Sequence, residues 1–299
     1  MNNNEARYSR PLELANDTQM TVLQDWRQMS YAERGAAEGR AVFVFHDSPG
    51  SRLLQHPDRS IALDHGLRLI HADRPGFGMS TPDARRTFAG YAQDIAQLAD
   101  GLGIGSFGIL AIGGGAPYAL ACAAELPQRV NRIAIAATYV PPEMLQGLGS
   151  WRLRAKLMLS RRAPASLRAL LKKDSYRANH DCYHYLRRWE RQLAPCDAKL
   201  LDTAPGLRSQ YEQDAREGFR QSTRGIRAEL RLLAYPWNIA FDAIRCNVRF
   251  WHGSEDRIVH VSSAARLAES VGAPLQIVES AGHFVWYAEW RSMLAFLSA

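Results

Sequence analysis

Short apolar runs recur along the chain and alternate with stretches rich in helix-forming residues. The runs lie at residues 41–45, 67–72, 106–112, 130–137, 248–252 and 275–279. Continuous apolar runs of this length, bounded by turn residues, are typical of buried strands. Strands that alternate with helical stretches predict an α/β fold with a mostly parallel sheet and helices on both faces.

Two segments depart from this rhythm. Residues 10–15 and 20–26 flank Asn16-Asp17, which predicts a hairpin that leads into the sheet. Residues 141–236 lack strand-like runs and are typical of several helices. They predict a helical cap inserted into a core domain that consists of residues 1–140 and 237–299. A chain of 299 residues with 46% hydrophobic content can bury a core of this size.

A tight turn follows the predicted strand at 106–112. Residues 111–118 read AIGGGAPY and lead into the helix-forming residues 116–126. A strand, a tight turn and a helix in this order are the setting of the nucleophile elbow G-x-S-x-G, whose flanking residues are small because strand and helix pass closely. Ala111 and Gly115 meet that requirement, so Gly113 stands at the nucleophile position and supplies no hydroxyl.

An acid and a histidine follow two later strands. Asp256 lies just beyond residues 248–252, and His283 lies just beyond residues 275–279. The order nucleophile position, acid, histidine is the chain order of the α/β-hydrolase triad. His283 can act as a general base that Asp256 orients. The alternative is a loop-capping acid and a structural histidine, and the catalytic interpretation is favoured.

Two further motifs complete a family pattern, HDSPGSR at residues 46–52 and DRPGFGMS at residues 73–80. With them the chain resembles the cap-containing bacterial subgroup of the α/β-hydrolase superfamily from about residue 41 to its end. The match is poorest in the middle. The resemblance implies that the backbone amides of Ser48 and Gly114 form an oxyanion hole. No cofactor and no metal are expected.

The chain departs from the family pattern at two positions. Asp47 replaces the usual glycine after His46, and a turn carboxylate that accepts local amide hydrogen bonds is favoured over a carboxylate near the pocket. Gly113 removes the hydroxyl that an acyl-enzyme requires. We expect the vacated space to hold a water molecule for His283 to activate, or part of a substrate.

Positive charge is concentrated in the predicted cap. Residues 151–235 contain 19 Lys and Arg against 9 Asp and Glu, whereas the whole chain carries a net charge of +7. Solvated helix faces explain this most simply, and a basic rim that attracts an anionic substrate or an acidic carrier protein is the alternative. Nucleic-acid binding is not expected, because no binding motif accompanies the charge.

Aromatic and histidine residues cluster on one segment of the predicted cap: Tyr176, His180, Tyr183, His184 and Trp189. Their spacing places several of them on one helix face. Packing against the core is the favoured role, while Tyr183 and His184 are candidates for contact with substrate in an aromatic pocket.

The remaining composition suggests a cytoplasmic protein. The four cysteines show no C-x-x-C spacing, and the chain start has no apolar core of a secretory signal. No apolar stretch reaches the roughly 18 residues of a membrane span. We therefore expect reduced thiols, no structural zinc and no membrane association. The oligomeric state is left open.

Three functions are compatible with this sequence. The favoured one is an enzyme for a small carbonyl or acyl-type substrate that uses a His283–Asp256 general-base dyad and an oxyanion hole without a covalent serine. Its chemistry would be that of a lyase, cyclase, isomerase or water-activating hydrolase. The second is a serine hydrolase inactivated by Gly113, and the third is a non-catalytic ligand-binding protein.

Overall fold

The structure of the chain is a computed structural model that describes residues 17–146 and 151–299. Its centre is an eight-stranded sheet with the strand order β1-β2-β4-β3-β5-β6-β7-β8. The strands are β1 (Thr18–Val22), β2 (Gln28–Gly35), β3 (Arg40–Phe45), β4 (Leu67–Ala72), β5 (Phe107–Ile112), β6 (Val130–Ala136), β7 (Asn247–Gly253) and β8 (Leu275–Val278). In this order, all neighbouring strands from β4 to β8 pair parallel, including β3. The strand β2 pairs antiparallel with both β1 and β4. The predicted mostly parallel sheet is confirmed.

Helices pack on the sheet, and several of them form the long connection between β6 and β7. They are α1 (Ser60–Asp64), α2 (Phe88–Gly101), α3 (Ala116–Glu125), α4 (Trp151–Arg162), α5 (Pro164–His180), α6 (Cys182–Glu190), α7 (Pro195–Thr203), α8 (Leu207–Gly218), α9 (Arg224–Leu233), α10 (Val261–Val271), α11 (Val285–Ala288) and α12 (Trp290–Ser298). α2 packs against α3, and α1 packs against α12. β5 is buried along its whole length, and α3 and α12 pack against it.

The helices α4 to α9 connect β6 to β7, and we call them the helical insertion. They occupy the interval in which the sequence predicts a cap. The division into a cap of residues 141–236 and a core domain of residues 1–140 and 237–299 stays a prediction. Within the described residues, no helix combines the length and apolar character that a membrane span requires.

The N-terminal hairpin exists, but its turn was predicted at the wrong place. β1 and β2 pair antiparallel, and the chain reverses at residues 23–27, where the Trp26 amide donates to the Leu23 carbonyl at 2.9 Å. Trp26 is 87% exposed at this turn and has a positive φ of 67°. The strand preference of an aromatic side chain therefore misled the prediction, because that preference reflects packing that Trp26 lacks. Residues 10–15 and Asn16 lie outside the described residues.

Candidate active site

The register of the central strands brings the two departures from the family pattern together. Phe45 at the end of β3 pairs with Ala111 in the parallel ladder to β5. Two residues further along each strand stand Asp47 and Gly113. Because the carboxyl ends of parallel strands open at the same edge, these two residues lie side by side where open α/β sheets bind ligands.

The Asp47 carboxylate fills the space above Gly113. A Cβ atom added to Gly113 would overlap Asp47 Oδ1, and Gly113 has a left-handed φ of 51°, which glycine adopts freely. The space beside Gly113, which was expected to hold water or part of a substrate, is thus filled by a carboxylate from the loop after β3. A Cβ atom on Gly114 would likewise overlap the Ser48 hydroxyl. The glycine run therefore lets the elbow pack tightly against the loop after β3.

Asp47 binds partners that are distant in the chain. Its Oδ1 accepts the Gly114 amide at 2.8 Å, and its Oδ2 lies 3.1 Å from His283 Nε2. These residues are 67 and 236 positions away, so the side chain is not the locally bonded turn carboxylate that the sequence favoured. It is 13% exposed and faces a cavity.

His283 and Asp256 meet as the sequence predicts. His283 Nδ1 lies 2.9 Å from Asp256 Oδ2, and both side chains are buried. The amides of Ile258 and Val259 donate to Asp256 Oδ1 at 2.7 and 3.1 Å. The carboxylate is thereby fixed in its loop and holds the imidazole ring in one orientation.

A second acid anchors the backbone of the histidine loop. Asp197 on α7 accepts the amides of His283 and Phe284 at 2.8 and 2.9 Å. A Cβ atom on Gly282 would overlap this carboxylate. The insertion therefore fixes the histidine loop directly, through a residue that the sequence analysis did not identify.

His283 stands between two carboxylates, and this sets its charge. Burial opposes the charged ring, but Asp256 first and Asp47 second raise the pKa of His283 well above its usual range. In turn, although burial opposes ionisation, His283 holds the pKa of Asp256 below its usual range. The resting site is therefore an imidazolium that donates from both ring nitrogens.

The two groups expected to form an oxyanion hole have different surroundings. The Gly114 amide already donates to Asp47, so in this state it stabilises the protein's own carboxylate. Ser48 lies at the cavity wall, and its hydroxyl donates to Glu229 Oε1. No hydrogen bond of the Ser48 amide is found in the part of the chain described by the structure.

A buried ion network holds the loop of Asp47 in place. Arg74, in the DRPG motif, donates to the carbonyls of His46 and Asp47 at 2.6 and 3.1 Å. Glu229 on α9 binds Arg74 Nη2 at 2.6 Å and Arg86 Nη2 at 3.0 Å, and all three side chains are buried. Buried charges of this kind require such pairing. The network therefore joins the insertion, the DRPG turn and the Asp47 loop into one rigid unit.

The reactive cavity next to these groups has a volume of about 80 Å³, which suits a small reacting group rather than a whole drug-sized ligand. Its wall includes Asp47, Ser48, Pro49, Tyr139, Leu153, Lys156, Tyr185, Leu186, Trp189, Gln192, Tyr211, Asp214, Ala215, Ile226, Leu230, Ile258 and His283. Tyr183 and His184 do not belong to it. They lie exposed on α6, where His184 Nδ1 binds Asp181 at 2.8 Å.

Three phenols and a second carboxyl group give the cavity neutral donors. Burial is the first cause that raises the pKa of Tyr139, Tyr185 and Tyr211 above the usual range. Asp214 is buried and binds the Ser51 amide and hydroxyl through Oδ1, and burial raises its pKa to about 8. At neutral pH these four groups hold their protons and can donate.

The Asp214→Asn variant is expected to change how stability depends on pH. The raised pKa means that the folded chain binds more protons than the unfolded chain between the usual aspartate value and about 8. This group therefore lowers stability as pH rises through that window, by up to about 1.4 kcal/mol per pH unit. Urea unfolding is measured from pH 5 to 9. The free energy of unfolding of the variant, relative to that of the parent chain, should increase up to about pH 8 and then level off.

The exposed Asp242 provides the matched control. Asp242→Asn makes the same chemical change without removing a buried acid, so its pH profile should follow that of the parent. If Asp214→Asn also follows the parent profile, Asp214 is not protonated in the folded chain.

The site offers little to a metal ion. Within residues 17–146 and 151–299, no group of three or more His, Cys, Asp or Glu side chains is placed to hold one. The acids at the site are bound by amides, a hydroxyl and His283 instead.

The chain is similar to known proteins in sequence and in fold. The model of the "Alpha/beta hydrolase family" matches residues 35–295. The uncharacterized hydrolase YcgS of Bacillus subtilis (strain 168) is 24% identical over 275 residues, which cover 89% of this chain and 92% of that protein.

Solved structures show the same fold. A hydrolase from Pseudomonas aeruginosa PA01 superposes with a TM-score of 0.68 at 18% identity, covering 96% of this chain and 100% of that one. A thermophilic esterase from Thermogutta terrifontis superposes with a TM-score of 0.65 at 18% identity, covering 93% and 96%. At these identities the likeness concerns the fold alone.

Proposed function

The chain belongs to the alpha/beta hydrolase family, and on that premise we propose that it is a hydrolytic enzyme whose nucleophile is the Asp47 carboxylate. One observation carries the proposal. The Asp47 carboxylate occupies the place of a serine side chain at Gly113, where it is held by the Gly114 amide and by His283 Nε2. A nucleophile, a base and an orienting acid are the parts that covalent catalysis requires.

The nature of the nucleophile selects the substrate. A carboxylate that attacks a carboxylic ester forms an anhydride, which is more reactive than the ester it came from. A carboxylate that attacks an electrophilic saturated carbon forms an ester, which is a stable intermediate. The phenols of Tyr139, Tyr185 and Tyr211 line the same cavity and can protonate a leaving oxygen. We therefore propose a small epoxide as the substrate class.

In the first step, Asp47 Oδ2 forms a bond to a ring carbon and the ring carbon–oxygen bond breaks. The released oxygen takes a proton from a phenol. Tyr211 suits this role, because its oxygen already accepts Trp286 Nε1 at 3.1 Å and its own hydrogen is free to be donated. The Asp47 ester carries no charge, so the pKa of His283 falls and the imidazolium returns a proton to the phenolate.

In the second step, His283 Nε2 takes a proton from a water molecule that attacks the Asp47 carbonyl carbon. Negative charge then develops on Oδ1, which already faces the Gly114 amide. Collapse releases the product oxygen, which receives the proton from His283. Asp47 is then a neutral carboxylic acid, and its proton moves to His283. Epoxide and water are consumed, a diol is formed, and the resting site is restored.

Isotope labelling tests this route. Enzyme in excess over small aryl and alkyl epoxides should form diol in water enriched in oxygen-18, and Asp47 should retain one labelled oxygen. Trypsin releases residues 41–52 as one peptide that contains Asp47 and no other acid. The mass of this peptide should increase by one label per turnover. In His283→Gln, the unlabelled alkyl ester should accumulate on the same peptide.

A second candidate is acid–base chemistry without a covalent intermediate, on a small carbonyl or acyl-type substrate. It is supported by the placement of a base and an acid, Asp47 and His283, 3.1 Å apart at one cavity. The labelling experiment separates the two candidates, because this route would give turnover while residues 41–52 stay unlabelled. Absence of turnover throughout a broad substrate panel would favour a binding protein.

The paired departure at residues 47 and 113 also bears on the inactivated-hydrolase alternative. Loss of a serine side chain alone would leave its space empty. Here a carboxylate from the next loop fills that space and binds the histidine. This supports a rebuilt reactive site.

A further inference from the structure

A second cavity adjoins the reactive one. It has a volume of about 190 Å³ and is lined by Trp151, Arg152, Ala155, Lys156, Leu170, Asp174, Tyr185, Arg188, Trp189 and Gln192. We call it the vestibule. Four of these residues, Lys156, Tyr185, Trp189 and Gln192, also line the reactive cavity. One ligand can therefore occupy both spaces.

Positive charge outweighs negative charge in the vestibule. The Lys156 ammonium lies 3.8 Å from Asp174 Oδ2, which is beyond hydrogen-bond distance. The Arg152 guanidinium carbon lies 5.1 Å from the centroid of the Trp151 ring, and Arg188 is exposed. Among the ion pairs of the described residues, none involves either arginine. Three cations therefore face one carboxylate.

These cations are close enough to affect one another. Burial is the first cause that lowers the pKa of Lys156, and the charges of Arg152 and Arg188 lower it further against the opposing effect of Asp174. Mutual repulsion of this kind is relieved when an anion enters. Guanidinium groups bind carboxylates strongly through paired hydrogen bonds.

A flat aromatic wall connects the two spaces. The Trp189 ring stacks on Tyr211 with a centroid distance of 5.5 Å and an interplanar angle of 30°, and it also packs on Phe284. Trp189 is thus held rigidly between the reactive cavity and the vestibule. Such a wall suits an aromatic ring in the middle of a ligand.

We propose that the vestibule binds a carboxylate group of the substrate. The preferred substrate is then an aryl epoxide whose arene carries a carboxylate at the end remote from the epoxide. The reactive carbon lies at Asp47, the arene lies against Trp189, and the carboxylate lies among Lys156, Arg152 and Arg188. This inference rests on the proposed function for the identity of the reacting group. The anion site itself can be tested without turnover.

Two matched probe pairs test it. The first pair is 4-(oxiran-2-yl)benzoate and its neutral amide, compared by kcat/KM. The second pair is the corresponding diols, which do not react, compared by calorimetric Kd. In both pairs the benzoate should be favoured about tenfold or more. The preference should fall as salt is added, since exposed charges are screened.

The variants are Arg188→Gln and Lys156→Gln. Arg188 is exposed, so its replacement tests the site without risk to folding. We expect the benzoate preference to fall about two- to fivefold in Arg188→Gln and about tenfold in Lys156→Gln. The control is Arg168→Gln, which removes one exposed positive charge from α5 outside the vestibule. It should leave the preference unchanged.

The outcomes separate this inference from the proposed function. The vestibule is supported if the benzoate diol binds more tightly than the amide diol and if Arg188→Gln reduces this difference. This holds even if neither epoxide is turned over and the proposed reaction fails. Turnover of both epoxides at equal kcat/KM, with equal diol affinities, overturns the vestibule and leaves the reaction in place. An equal loss in Arg168→Gln also overturns it, because overall charge then explains the preference.

Discussion

The Asp47→Asn variant is expected to lose turnover by roughly 10⁴-fold or more while remaining folded. Asparagine has the shape of aspartate, and its oxygen can still accept the Gly114 amide that now binds Asp47 at 2.8 Å. It is a far weaker nucleophile and carries no charge. Loss of the charge also removes one of the two carboxylates that raise the pKa of His283. That pKa should therefore fall in the variant.

Two measurements check this expectation. Single-turnover kinetics on the best epoxide give the loss in rate, and NMR titration of the His283 ring gives the change in its pKa. Asp242→Asn is the control for both, since that residue is exposed and distant in the chain. Retention of full activity in Asp47→Asn, with a lowered His283 pKa, would show that Asp47 only pairs with the histidine and that another group performs the chemistry.

The positions of the six parallel strands could be predicted from the sequence because each of these strands is a short, local run rich in apolar residues. The six predicted parallel strands begin and end within one residue of β3 to β8. The positions of Asp256 and His283 could be predicted for the same reason, since each residue follows such a run. The hairpin turn could not, because Trp26 has strand preference and lies exposed at a reversal.

The role of Asp47 was within reach of the sequence but needed the strand order. Both unusual positions stand two residues beyond strand positions that pair in the sheet, Phe45 and Ala111. Adjacency of β3 and β5 therefore implies contact between Asp47 and Gly113. Each departure considered separately favoured a different explanation: a turn carboxylate at Asp47, and at Gly113 a space for water or part of a substrate.

The acids contributed by the insertion could not have been predicted. Asp197, Asp214 and Glu229 lie on helices in the segment with the poorest family match. Their partners are 86 residues or more away in the chain. No local pattern marks a carboxylate as buried, because helices carry acids on exposed faces as well. Only tertiary packing distinguishes these three.

A serine nucleophile is expected to be recovered only when both departures are reversed. In Gly113→Ser alone, the new Cβ would overlap Asp47 Oδ1, so the carboxylate or the elbow must move at a cost of about 1–3 kcal/mol. The single variant should be destabilised and should not react with a fluorophosphonate probe. In Asp47→Gly/Gly113→Ser the space is free, and His283 and the Gly114 amide lose their bonds to the carboxylate.

The double variant should therefore react with the fluorophosphonate probe and hydrolyse short activated esters, whereas the parent chain and both single variants should not. Asp47→Gly alone is the informative control, because it frees His283 and Gly114 without supplying a nucleophile. Removal of Asp47 also lowers the pKa of His283 toward the range in which it can act as a base for the serine. Equal labelling of Gly113→Ser and the double variant would contradict this account, since it would mean that Asp47 does not occupy the serine position in solution. Labelling of the double variant alone would instead support a site that can take its nucleophile from either of two positions, the loop after β3 or the turn after β5.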